Sequence, residues 1–103
     1  MNGSRADENV FETDAVIVAL VSIRIQDAEE PVRAVWHHAN GDWVMWCETV
    51  DVLDPDAWVT VHVQHLVDRD RTLRAVGDLP EGWAAFREWR GMAWVREPIV
   101  DDA

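Results

Sequence analysis

His62, His65 and Asp68 carry side chains that ligate divalent metals, at spacings that would place them on one face of a helix. The surrounding pattern opposes that geometry. A strand is expected to end and a helix to begin between the two histidines, so they read as ordinary half-buried side chains and no metal is expected. His37 and His38 point to opposite faces of their strand and cannot chelate together; His38 is expected to stack on Trp43. Cys47 has no cation beside it to favour a thiolate and reads as a core thiol. Ser4 and Ser22 lie outside any G-x-S-x-G setting, which leaves serine-type acyl transfer without a nucleophile. Glu48, Asp51, Asp54 and Asp56 supply enough carboxylates for a glycosidase dyad, but their clustering between strands reads as a solvated acidic loop. The sequence has neither a P-loop nor G-x-G-x-x-G, and calls for no cofactor.

Charge narrows the choice of partner. Twenty acidic residues stand against nine basic ones, all of them arginine, for a net charge of −11. That field repels a phosphate backbone, so no direct nucleic-acid partner is expected. It would instead steer a basic protein partner, although a GC-rich genome or adaptation to salt produces the same composition. At 103 residues the chain fits one small domain. The single Cys47 cannot form an internal bridge. No apolar run reaches the ~18 residues of a membrane span, and the residues after Met1 are acidic and polar rather than signal-like. A soluble cytoplasmic protein with no membrane partner is the expectation.

The elements that position these groups centre on residues 32–48, VRAVWHHANGDWVMWCE, where Asn40-Gly41 between alternating segments signals a β-hairpin. Whether the loop is Asn40 and Gly41 or the four residues from Ala39 to Asp42, His38 then opposes Trp43, Trp36 opposes Met45 and Ala34 opposes Cys47. The other face pairs Val35 with Trp46, His37 with Val44 and Arg33 with Glu48, the last as an ion pair. The first set reads as core and the second as a face in need of cover.

Residues 1–14 lack periodicity and are expected to be a loose acidic tail. Residues 15–25 read as a central strand, buried first on both faces and then on one, with a turn over 26–31. Asp54-Pro55 predicts a short helical turn. Residues 58–63 alternate as a strand with Val59, Val61 and Val63 inward. From Gln64 the period becomes helical, Gly77 closes it as a C-cap, and Asp70 predicts either a kink or a second short helix that it caps. After a turn at Pro80, residues 83–88 and 94–97 form a second hairpin, and 98–103 are expected to fray. Together these define one α+β domain over 15–97, an antiparallel sheet of about five or six strands with one kinked or split helical region.

Seven tryptophans complete the picture. Trp36, Trp43, Trp83 and Trp94 read as core, whereas Trp46, Trp58 and Trp89 are candidates for an exposed aromatic patch. The leading expectation is a non-catalytic protein-binding domain whose partner surface comprises Val35, Val44, Trp46, Glu48, Asp51, Asp54, Asp56 and Trp58. The alternative is a small-ligand or carbohydrate-binding module using Trp58 and Trp89, and the third option is a small enzyme.

Several short motifs add a resemblance. Val21-Ser22-x-Arg24-Ile25, Pro31-Val32, Gly41-Asp42-Trp43, Asp70-x-x-Leu73, Asp78-Leu79-Pro80-x-Gly82-Trp83-x-Ala85-x-Arg87 and Trp94-x-Arg96 together resemble a family of small acidic bacterial domains of unassigned biochemistry, proposed as immunity proteins of polymorphic toxin systems. The resemblance spans residues 15–97 and is most distinctive in its closing segment. It implies binding and neutralisation of a cognate, basic toxin domain without catalysis, and it carries over no active-site residues. One departure lies beyond the hairpin: Trp46 leads into Cys47-Glu48-Thr49, where family members often have an aromatic residue and a glycine-containing turn.

Overall fold

The computed structural model describes residues 9–13 and 16–99. Its strands are β1 (Val18–Ser22), β2 (Ala34–His37), β3 (Trp43–Trp46), β4 (Trp58–His62), β5 (Trp83–Phe86) and β6 (Val95–Pro98); its helices are α1 (Ile23–Gln26) and α2 (Val63–Arg69), with 3₁₀ turns at Val10–Glu12, Pro55–Ala57 and Arg71–Val76. One open sheet runs in the order β4-β1-β3-β2-β5-β6. All neighbours are antiparallel except β1 and β3. The fold is α+β, as the element pattern predicts.

The hairpin forms, but its register differs from the expected one by a single residue. His37 opposes Trp43, Trp36 opposes Val44, Val35 opposes Met45 and Ala34 opposes Trp46. The cause is the loop. His38 N–H donates to the Asp42 carbonyl at 2.8 Å and Gly41 N–H to the His38 carbonyl at 2.9 Å, with Gly41 at φ +94°. This is a three-residue connection with glycine in the left-handed position, and neither the two- nor the four-residue loop considered above is used. Because side chains alternate, a one-residue slip changes which residues of β3 share a face with which residues of β2. Val35 joins Trp43 and Met45, while Trp36 joins Val44 and Trp46.

β1 also departs from expectation. It stops at Ser22, whose buried hydroxyl accepts a hydrogen bond from Cys47 N–H at 3.2 Å. The next residues close a single helical turn, Asp27 N–H to the Ile23 carbonyl at 2.9 Å, which places Ile25 in the core. The strand is covered on one face only: Ala19 and Val21 are buried, but Val18 and Leu20 are 45% and 43% exposed.

Asp70 splits the helical region as predicted. Its side chain accepts from Thr72 N–H at 3.0 Å and so caps the Arg71–Val76 turn. The resulting layer places Val63, Leu66, Val67, Leu73 and Val76 against Val21, Val35, Trp43, Met45 and Ala85 of the sheet. Each such side chain contributes roughly 1.5–3 kcal/mol through burial.

Gly77 does not act as a left-handed cap, since its φ is −69°. A side chain is excluded there by packing: a Cβ would fall 2.9 Å from Phe11 Cβ and collide with the Asn9 side chain. Val10 N–H donates to the Gly77 carbonyl at 3.0 Å, and Phe11 is buried with its ring 4.8 Å from that of Trp43. Residues 9–13 are therefore docked on the core rather than a loose tail; residues 1–8 and 14 lie outside the described residues. At the other end Pro98 belongs to β6, and Ile99 N–H donates to the Gly82 carbonyl at 2.8 Å, so fraying does not begin at 98. Residues 100–103 lie outside the described residues.

Candidate functional site: the open sheet face

The helical layer covers the sheet face that carries Ala19, Val21, Val35, Trp43, Met45 and Ala85. By strand alternation and the observed registers, the opposite face carries Val18 and Leu20 of β1, Ala34 and Trp36 of β2, Val44 and Trp46 of β3, Thr60 and His62 of β4, Phe86 of β5 and Val95 of β6. No helix of the described residues packs over it. Trp36 sits at its centre, 5.9 Å from Trp46 and 5.8 Å edge-on from Phe86. Ala34, directly opposite both Trp46 and Phe86, is fully buried beneath these rings. Aromatic pairs in these geometries contribute about 0.5–1.5 kcal/mol beyond area burial, so the cluster is preorganised.

No arginine occupies a strand position on this face. Arg96 and Arg87 share the alternation of Ala85 and face the helical layer. Arg24 and Arg69 lie in helices and Arg71 and Arg74 in the 3₁₀ turn beyond α2. Its border carries the Arg33–Glu48 pair and, beyond it, Asp51, Asp54 and Asp56.

The 48–56 loop is tied to one end of it by two indoles: Trp46 Nε1–H donates to the Val50 carbonyl at 3.1 Å and Trp58 Nε1–H to the Val52 carbonyl at 3.2 Å. The Asp51 carboxylate accepts from Leu53 N–H and that of Asp54 from Asp56 N–H, each at 2.9 Å. These turns leave Val52 and Leu53 as an exposed apolar tip between carboxylates, Leu53 at 85% exposure. Glu48 leaves β3 at φ +67° and pairs with Arg33 at 3.7 Å, the ion pair expected from the sequence.

The structure thus brings Val44, Trp46, Glu48, Asp51, Asp54, Asp56 and Trp58 to one face and its rim. Val35 is not among them. It is fully buried under the helical layer because of the register shift. Trp36 and Phe86, absent from the expected surface, occupy its centre; counting a three-residue loop would have placed Trp36 there. Trp58 lies on the β4 edge and Trp89 beyond β5, at opposite ends of the sheet, so they share no platform.

Two of the remaining chemical candidates, His37 and Cys47, resolve into packing. His37, not His38, stacks on Trp43, with ring centroids 3.8 Å apart, and its Nδ1–H donates to the Leu79 carbonyl at 2.7 Å. Cys47 is fully buried with Sγ 3.1 Å from Thr49 Oγ1. His62 and His65 are exposed rather than half-buried; their rings lie parallel with centroids 5.9 Å apart, and no cluster of three or more potential ligands among the described residues is placed to hold a metal.

A second polar cluster, missed in the sequence, joins the helical layer to β5. The Arg87 side chain is fully buried: Nε donates to the Val32 carbonyl at 2.9 Å, Nη1 to Thr72 Oγ1 at 2.7 Å and Nη2 to Asp70 Oδ2 at 2.9 Å. Its guanidinium lies 4.3 Å from the centroid of the Trp94 ring. An arginine directly after β5, on the inward alternation of Ala85, is the signal that could have revealed it.

Burial pushes the Asp70 carboxyl upward, but hydrogen bonds from Thr72 and Arg87 and the Arg87 charge outweigh it and hold the group below its ordinary value. A folded value below the unfolded one stabilises fully above about pH 4, and that stability is lost as pH falls through the folded value. Chemical denaturation of wild type and Asp70→Asn at successively lower pH should show the wild type losing more stability across that window. Equal losses in the two proteins would assign the acid sensitivity to other groups.

No helix of the described residues is long and apolar enough to cross a membrane. No protein-family model, curated protein or solved structure matches the chain, so its functional reading rests on the geometry of the open face.

Proposed function

We propose that this chain is a non-catalytic protein-binding domain that engages a basic partner through the open sheet face. The observation that carries the reading is the half-exposed aromatic cluster of Trp36, Trp46 and Phe86, on a sheet face with no arginine at its described strand positions and bordered by the acidic loop. Contiguous apolar surface with a polar rim is typical of interaction sites, and tryptophan is enriched at their hot spots. Charge supports the choice of partner, because a chain of −11 attracts a basic surface. The motif resemblance to immunity proteins supports a toxin domain as that partner, neutralised by occlusion.

The test is titration of the purified product of the gene immediately upstream by calorimetry and stopped flow. The association rate should fall steeply between low and physiological salt. Trp36→Ala should weaken binding by about 2 kcal/mol or more, roughly thirtyfold. Absence of binding, or an affinity indifferent to both salt and Trp36, would sink the proposal.

A further inference from the structure

We infer that β4 is a self-pairing edge through which two copies of this chain join their sheets, a property separate from the binding face. The two ends of the sheet are built differently. β6 carries Pro98, which has no N–H, and Arg96, paired with Asp78 at 2.6 Å. Proline and charge are devices that stop an edge from pairing further. β4, at the other end, reads Trp58-Val59-Thr60-Val61-His62, with neither proline nor formal charge and with an uninterrupted register against β1.

The outward bonds of β4 follow from its inward ones. Val63 N–H donates to the Ile17 carbonyl at 2.9 Å, in line with the β1–β4 register. Bonded and non-bonded pairs alternate along an antiparallel ladder. Val59 and Val61 therefore bond to β1, while both backbone groups of Thr60, the N–H of His62 and the carbonyl of Trp58 point away from the sheet. An open groove of about 790 Å³ borders this edge, lined by Thr60, Val61 and His62 and by His65, Asp68 and Arg69 of α2. The two formal charges lining it are opposite in sign, and the acidic loop of Asp51, Asp54 and Asp56 lies at the Trp58 end of the strand.

A second copy fits because the strand is its own complement. In antiparallel pairing about a twofold axis through Thr60, the two Thr60 residues face each other, Trp58 opposes His62 of the second copy and Val59 opposes its Val61. Aromatic rings meet aromatic rings, β-branched side chains meet their like, and no like charges are opposed. The outward N–H and carbonyl of each Thr60 then bond across the axis, and each His62 N–H meets a Trp58 carbonyl. Because the axis stands perpendicular to the sheet, both open faces end on the same side.

Sedimentation of the full chain should give twice the 11.8 kDa chain mass, dissociating on dilution. Thr60 is exposed, and Thr60→Lys would set two cations face to face at the axis; it should yield a monomer with an unchanged circular dichroism spectrum. Val95→Lys on the opposite edge should remain a dimer. Thr60→Cys should cross-link under mild oxidation, because directly opposed residues of a bonded pair have Cα atoms about 5.5 Å apart, within disulfide range. Val95→Cys should not cross-link. Should the lysine variant fail to fold, the cross-link decides. A wild-type monomer at sub-millimolar concentration, or a dimer without cross-linking through Thr60→Cys, overturns the assignment.

Discussion

Val35→Lys is expected to abolish folding, whereas Val44→Lys, nine residues away on the paired strand, should leave the fold intact. Both valines sit mid-strand in the same hairpin, and the difference lies only in the face each presents. Val35 is fully enclosed, opposite Met45 on one side and Ala85 on the other. An ammonium there has no partner and no water. Uncompensated burial of a charge costs several kcal/mol even after relaxation, comparable with the 5–15 kcal/mol total stability of a domain. Val44 lies between Leu20 and Trp36 on the open face, where a lysine can lay its stem on apolar surface and keep its charge in water. The expected cost is no more than about 1 kcal/mol, the span of strand preference. Circular dichroism and urea denaturation of both variants would decide it, because a two- or four-residue hairpin loop would place both valines on one face and make them behave alike.

Arg87→Met should cost about 3–5 kcal/mol, the usual penalty for removing one partner of a buried ion pair. The guanidinium is the joint of the molecule: it holds the Val32 carbonyl at the entry to β2, Thr72 and Asp70 in the helical layer, and the face of Trp94 after β5. Methionine fills much of the volume but leaves the Val32 carbonyl without its partner, and leaves the Asp70 carboxylate with only Thr72 and the exposed Arg90 at 3.7 Å. Replacing both charges, as Arg87→Met with Asp70→Leu, should therefore cost less than the two single changes added together. Additive losses in urea denaturation, or a single loss below about 1 kcal/mol, would show that the pair is not the joint described.

How far the sequence could be read depended on the range of the interaction. Alternation within Trp58–His62 and the Asp70 break in the helical period were visible because both are set by neighbours a few residues apart. The parallel pairing of β1 with β3 was not, since α1 and β2 lie between the two segments and the register is set by shared burial under the helices. The hairpin lay between these cases. Asn40-Gly41 marked the turn, but the position of Gly41 within the loop determines the register, and that choice moved Trp36 from expected core to open face and Val35 the other way. The pairing of Arg87 with Asp70 was hidden for a related reason: only the packing of β5 against the Arg71–Val76 turn brings the two together. Phe11, isolated in a polar stretch, acquired meaning only through the space that Gly77 leaves for its segment.

The most direct test of the open face as the binding surface is calorimetric titration of folded Val44→Lys against the product of the upstream gene, beside wild type and an Arg71→Ala control on the helical layer. The geometry predicts that Val44→Lys loses at least thirtyfold in affinity while the control retains wild-type binding, about 2 kcal/mol at a central contact. Wild-type affinity in Val44→Lys would contradict it.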